Sequence, residues 1–186
     1  MAPTKQRIVD IAVELFNRSG SAAISTNHIA RASNISPGNL YYHFRNKQQI
    51  LLAAAERFER AAAAAWEQPV PTLSDREAAF DRLSRYAEVL RRHVFLVREV
   101  FALQVEHPEV GQRLLDRRAR DVAQLGLLPA RLTAGGAGAR SPARPETLGE
   151  LLWAALWARI GAAAAAPQVP VTAEVLELAE WLGTCA

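Results

Sequence analysis

Residues 25–51, STNHIARASNISPGNLYYHFRNKQQIL, constrain this chain more than any other stretch. They read as a short helix carrying Ile29 and Ala30, a turn at Asn34-Ile35-Ser36, and a second helix over 37–43 of barely two turns. That second helix is crowded with aromatics and polar groups, which makes it poor core material. It is well shaped to enter a DNA groove.

The flanking residues punctuate these helices. Ile8, Ile11, Ala12, Leu15 and Phe16 recur at spacings of three and four, the period of an amphipathic first helix over 5–18. Ser19-Gly20 ends it, glycine supplying the left-handed position that closes a helix. Ser25 or Thr26 can cap the second helix. Ser36 caps the third, with Pro37 at the first helical position, where a missing N–H costs nothing. Asn46 and Gln49 form an N-x-x-Q pair that opens a fourth helix running to about Trp66. Pro69 and Pro71 stop it and mark the best domain boundary.

Beyond that boundary the pattern stays helical. Ser74 starts a helix with Phe80, Leu83, Ala87 and Leu90 inward, and residues 94–106 and 108–127 read as two more, divided at His107-Pro108. Residues 129–145 are rich in Gly, Ala and Pro, lack periodicity, and are expected to form a flexible loop. Helices over about 146–165 and 172–183 close the chain, separated by Pro167 and Pro170. With frequent alanine runs and few β-branched ones, the expectation is an all-α protein of about nine helices. It divides into a helix-turn-helix domain (1–46), a connecting helix (47–68) and a larger helical domain (69–186).

Charge is distributed unevenly. Residues 1–50 carry Lys5, Arg7, Arg18, Arg31, Arg45 and Lys47 against Asp10 and Glu14, a net of +4, whereas the remainder is at −1. Positive charge therefore gathers on the segment that would meet phosphates. The lone cysteine, Cys185, supports neither a disulfide framework nor a cysteine metal cluster. No apolar region follows the basic N-terminal residues, and the longest apolar stretch, near 151–166, is broken by Arg159 and too short for a bilayer. A soluble, cytoplasmic protein without membrane contact is expected.

The filling of the helix-turn-helix resembles the TetR family of bacterial transcriptional regulators. Thr26, Ile29-Ala30, Ser36, Leu40-Tyr41-Tyr42-His43-Phe44 and Lys47 match its signature, and the resemblance is close over residues 5–55. Beyond them the chain resembles the family only in the number and length of its helices. In a helix starting at Pro37, Leu40 and Phe44 can face inward, against Ile29 and Phe16, leaving Asn39, Tyr42 and His43 outward. Asn39 can bond adenine in the major groove, and Tyr42 can lie against thymine methyls. Tyr41 and His43 are better placed to meet phosphates. Lys47 and Thr26 are each placed to bind a phosphate as well, Lys47 at the start of its helix. His28 reads as an unpaired surface histidine. Many family members carry a polar side chain able to touch a base where this chain has Pro37 or Gly38, which shifts weight to Asn39 and Tyr42.

The resemblance further implies a homodimer that reads a pseudo-palindromic double-stranded operator and a helical core that takes a small-molecule effector. A hydrophobic effector pocket would be lined by Leu83, Tyr86, Leu90, Phe95, Phe101, Leu114 and Trp153. Trp157, Ile160, Val175, Leu178 and Leu182 form stripes on the last two helices, able to pair with their symmetry mates in a four-helix interface. Arg98, Glu99, Arg117 and Arg118 read as solvated helix charges. His93, Glu106 and His107 lack a metal-ligand spacing on one helical face. No phosphate loop, nucleophile elbow or His-x-x-x-His pair appears, and GGAG at 135–138 has no strand before it. Neither enzyme activity nor a cofactor is expected. The reading is a repressor released by its effector; a constitutive regulator without effector, or a helical adaptor that binds proteins instead of DNA, are the alternatives.

Overall fold

A computed structural model of the protein describes residues 4–67, 74–129, 144–163 and 171–184. Pro69, Pro71, Pro167, Pro170, Cys185 and most of the expected 129–145 loop lie outside the described residues. Ten helices follow one another, and no strand is present among the described residues. They are α1 (Thr4–Ser19), α2 (Thr26–Ala32), α3 (Pro37–His43), α4 (Lys47–Glu67), α5 (Asp75–Arg92), α6 (Val94–Arg98), α7 (Val100–Glu106), α8 (Pro108–Gly126), α9 (Pro145–Ala163) and α10 (Val171–Thr184). The expected all-α class holds, and among the described residues no helix is long and apolar enough to cross a membrane.

Helix starts follow local chemistry. Ser74 and Glu77 form a reciprocal capping box at α5, the Ser74 N–H donating to Glu77 Oε2 at 3.0 Å and the Glu77 N–H to Ser74 Oγ at 3.3 Å. These bonds to Ser74 hold the Glu77 carboxyl below its ordinary pKa. At α4, Asn46 Oδ1 accepts the Gln49 N–H at 3.0 Å, while Gln49 Oε1 reaches past Asn46 to the Arg45 N–H at 2.8 Å. Within α5 the buried side is Ala79, Leu83, Tyr86, Ala87 and Leu90, so Phe80, expected inward, is exposed instead.

The span 94–106, expected as one helix, is broken at Glu99, whose φ of −108° and ψ of 12° leave the helical region. Tertiary contacts hold both ends of α6. Asn17 of α1 accepts the Phe95 N–H at 3.0 Å and donates to the Arg92 carbonyl at 2.8 Å, satisfying backbone groups that the α5–α6 corner leaves open. Arg98 donates to the carbonyls of Phe16 and Asn17, and Phe16 meets Phe95 ring to ring at 5.0 Å.

The chain forms two compact units, neither of them a single stretch of sequence: residues 1–60 with 92–115, and residues 61–91 with 116–186. The first is built on Ile8, Ala12, Phe16, Ile29, Leu40, Phe44, Ile50 and Leu51 of α1–α4 and on Phe95, Leu96 and Leu103 of α6 and α7. The second is built on Leu83 and Tyr86 of α5, Leu152 and Leu156 of α9, and Val175 and Ala179 of α10.

Two features of the second unit are tightly specified. Gly149 of α9 sits so close to α8 that a Cβ there would lie 2.1 Å from the Val122 carbonyl oxygen, and one at Gly126 would lie 2.1 Å from that of Pro145. Arg117 and Asp121, one turn apart on α8, form a buried ion pair, and the Trp66 indole N–H donates to Asp121 Oδ1 at 3.0 Å. Burial, and then the Asp121 carboxylate beside it, push the Tyr86 phenol well above the ordinary tyrosine pKa, so it stays a protonated donor. Arg117, read from sequence as a solvated charge, is thus a core residue.

Two stability outcomes follow from these contacts. Gly149→Ala should lose about 1–3 kcal/mol in chemical denaturation through overpacking, although helix propensity alone would favour alanine by about 1 kcal/mol. Asp121→Ala, which strands the Arg117 guanidinium in the core, should cost about 3–5 kcal/mol by the same measurement.

Candidate nucleic-acid interface

The turn between α2 and α3 is a Schellman closure. The Asn34 N–H bonds the Arg31 carbonyl and the Ile35 N–H the Ala30 carbonyl, both at 3.1 Å. Asn34 takes the left-handed conformation this closure needs, at φ 52°, a region that asparagine tolerates better than other side chains. The Ser36 hydroxyl then accepts the Asn39 N–H at 3.1 Å, capping α3 with Pro37 in its first turn. Arg7 of α1 braces the turn by donating to the Ser33 carbonyl at 2.7 Å.

This closure sets the facing of α3. Leu40 and Phe44 are buried, as expected, while Asn39, Tyr41 and Tyr42 are exposed and His43 is half-buried. Tyr42, at 85% exposure, is the most open of the aromatic residues, and its ring stands edge-on to that of His43 with centroids 5.2 Å apart. Ser36, Pro37 and Gly38 are exposed at the start of the helix, Ser36 with its hydroxyl engaged in the cap.

Thr26, Tyr41, Asn46 and Lys47 come together with Ala22–Ser25 around one open depression at the mouth of α2 and α4. The Lys47 ammonium donates to the Ser21 carbonyl at 2.6 Å, so the α1–α2 loop fixes its position. Thr26 opens α2, and Ser25 precedes it as the cap. His28, read as an unpaired surface histidine, completes a capping box with Ser25: its Nδ1 accepts the Ser25 N–H at 3.3 Å, and its own N–H donates to Ser25 Oγ at 3.3 Å. The three-residue spacing carried that pairing, but with histidine where glutamate is usual. Two residues that sequence reasoning did not place here belong to this site, and one of them, Glu99, was read from sequence as a solvated helix charge. Ser21 supplies the carbonyl that holds Lys47, and Glu99 accepts the Ser21 N–H at 2.9 Å from 78 residues away.

The other candidate residues separate by unit. Leu83, Tyr86 and Leu90 are buried and Trp153 half-buried in the second unit, with Trp153 under the Arg118 guanidinium at 4.4 Å from its ring centroid and beside Trp157 at 4.8 Å. Arg118 also pairs with Glu150, so it is a packed cation and not a freely solvated one. Phe95 and Leu114 are buried in the first unit. Phe101 is 76% exposed, which removes it from an enclosed pocket lining. Among the residues expected at a dimer interface, Trp157, Leu178 and Leu182 are half-exposed, but Ile160 and Val175 are buried within their own chain. Among the described residues, Leu151 at 50% and Trp181 at 61% exposure are instead the most open large apolar side chains of α9 and α10.

A model of the bacterial regulatory proteins, tetR family, matches residues 8–54. The HTH-type transcriptional regulator UidR of Escherichia coli (strain K12) is 26% identical over 134 residues, 67% of this chain and 68% of UidR. A TetR-family transcriptional regulator from Marinobacter aquaeolei VT8 shares the fold at a TM-score of 0.76 and 25% identity, over 97% of this chain and 98% of its own. Salmonella enterica GusR shares it at a TM-score of 0.70 and 22% identity, over 98% and 96% of the two chains. With its matching head, its buried Leu40 and Phe44 and its outward aromatics, the chain carries a TetR-family helix-turn-helix over residues 8–54 and shares its fold with TetR-family transcriptional regulators.

Proposed function

We propose that the protein is a homodimeric repressor that a small hydrophobic effector releases from a pseudo-palindromic operator. The observation that carries the DNA half of this reading is the outward face of α3, where Asn39, Tyr41 and Tyr42 are exposed over buried Leu40 and Phe44. Asn39 and Tyr42 read bases. Thr26, Tyr41, His43 and Lys47 meet phosphates, and Ser36 and Pro37 shape the approach. Two such helices enter successive major grooves about 34–36 Å apart, the spacing that matches dimer symmetry to half-sites.

The dimer forms through α9 and α10. Their open apolar residues Leu151 and Trp181, together with Trp157, Leu178 and Leu182, support a symmetric pairing, whereas Ile160 and Val175 serve the chain's own core. The effector binds the helical core beside Leu83, Tyr86, Leu90 and Trp153, where apolar lining accompanies a few polar groups. Its binding changes the spacing of the two heads, and a coupling of about 1–3 kcal/mol is enough to alter operator affinity about 5–150-fold.

Selection of bound duplexes from a random pool should enrich a palindrome, and its release then screens effectors. An enriched site that no apolar compound releases would favour a constitutive regulator. On the selected operator, Tyr42→Ala or Asn39→Ala should cost about 1–3 kcal/mol and relax base preference. Lys47→Ala should instead weaken all duplexes alike and lower the salt slope by about one. Unchanged affinity and slope for Lys47→Ala would remove it from the phosphate contacts. Trp181→Glu should shift the protein to monomer in sedimentation, and a variant still fully dimeric would place the interface elsewhere.

A further inference from the structure

Glu99 stands at the break between α6 and α7, and its φ, ψ and flanking helices put it at the N-cap of α7. A polar side chain there ordinarily bonds its own helix, but the Glu99 carboxylate makes no such cap. It reaches the α1–α2 loop, where Oε2 accepts the Ser21 N–H at 2.9 Å. Its other oxygen accepts from Arg98 at 3.1 Å, and Arg98 in turn grips the Phe16 and Asn17 carbonyls at the end of α1. The carboxylate is largely buried and fully engaged, with a charge partner at its side.

The other face of the same loop residue is what matters for DNA. The Ser21 carbonyl accepts from the Lys47 ammonium at 2.6 Å, and from the Ile24 N–H at 3.2 Å. Ser21 itself is buried at 4% exposure, and the loop that follows it, Ala22 to Ser25, walls the depression holding Thr26, Tyr41 and Lys47. Glu99, the Ser21 backbone and Lys47 thus form a continuous chain of charge-assisted hydrogen bonds. Such bonds are roughly twice as strong as neutral ones, so the ends fix the loop between them. Gly20 adds to this: its φ of 81° suits the helix end, and a Cβ there would lie 3.4 Å from Glu99 Oε1, in direct contact.

We infer that Glu99 is a positioning residue for DNA-phosphate binding: it anchors the Ser21 backbone so that the Ser21 carbonyl holds the Lys47 ammonium at the depression beside Thr26 and Tyr41. This assignment rests on the phosphate role proposed for Lys47. It makes a prediction opposite in sign to simple electrostatics. Removing a carboxylate from a DNA-binding head should strengthen attraction to the duplex through the net field. Loss of the anchor should weaken it.

The test needs no operator, because phosphate contacts are read on any sequence. The purified full-length protein and its E99A, E99D, E99Q, K47A and E99A/K47A variants are titrated with a mixed-sequence duplex across a salt series, after thermal melts establish which are folded. E99A and E99D, the latter charged but too short to reach, should each lose several-fold affinity and about one unit of salt slope, the value of one phosphate contact. E99Q keeps an acceptor oxygen for the Ser21 N–H and should bind as tightly as the unmodified protein or more so. In the K47A background E99A should add no further loss, and Ser21 amide exchange should accelerate in E99A. Tighter binding by a folded E99A or E99D, or losses that multiply with those of K47A, would overturn the proposal. If E99A does not fold, E99D decides by the same criteria. A K47A variant with unchanged affinity and slope would sink the phosphate role of Lys47 itself, and the Glu99 assignment with it. A K47A variant that loses both, beside a silent E99A and E99D, would sink only the latter.

Discussion

Burial of Leu40 and Phe44 beneath a helix of seven residues is the constraint on which the head of this protein depends. A helix that short is unstable by itself, because nucleation costs more than so few backbone bonds return. Each of the two buried side chains contributes about 1.5–3 kcal/mol, and the Ser36 cap about 1 kcal/mol more. Pro37 fixes the first φ at no cost in hydrogen bonds, and the Asn34 closure sets the angle at which α3 leaves α2. With stability supplied from beneath and from the ends, the outer face is free to carry the exposed Asn39, Tyr41 and Tyr42.

Where interactions were local, the sequence announced them. The caps at Ser36, Ser74 and Asn46, the glycine after α1 and the inward placement of Leu40 and Phe44 are all short-range consequences of spacing, and each is present. The failures share one cause. Phe80 and Ala79 are adjacent, and only the packing of the second unit decided which would turn inward. In α9 apolar residues run almost without interruption from Leu151 to Trp157, so periodicity could not separate the face that buries Leu152, Leu156 and Ile160 from the face that leaves Leu151 open. Arg117 has an acid one turn away in Asp121, but the exposed Arg120 has one too in Asp116, so spacing did not separate them; the Trp66 indole that closes on Asp121 comes from far along the chain.

That buried pair has its own logic. Two charges taken out of water cost several kcal/mol each, and their attraction offsets this only when the remaining hydrogen-bonding capacity is used. Here Asp121 accepts from Arg117 and from the Trp66 indole, and it raises the Tyr86 pKa so that the phenol remains a donor. Residues from α4, α5 and α8 therefore meet on one carboxylate. An apolar set of equal volume would be more permissive, since hydrophobic contact tolerates sliding and rotation that a directed hydrogen bond does not. The glycine approaches impose the same restriction between α8 and α9, where the backbones come too close for any register that puts a side chain at 149 or 126.

A parallel principle governs the first unit, but there the joints grip the main chain. Asn17, Arg98, Glu99, Arg7 and Lys47 all reach backbone N–H or carbonyl groups on other elements. The backbone presents these groups whatever side chain sits at 16, 21 or 33, so the joints themselves place no demand on those side chains, while they do demand the gripping residues. Reading spacing along the chain locates the helices because both halves of each local interaction are encoded there. It misses such joints because one half is carried by atoms common to every residue. The exception that tests this view is Gly20, whose left-handed φ was legible from Ser19-Gly20 but whose contact with Glu99 was not. The helix end and the joint meet at one residue, and only the half that depends on its own identity could be read.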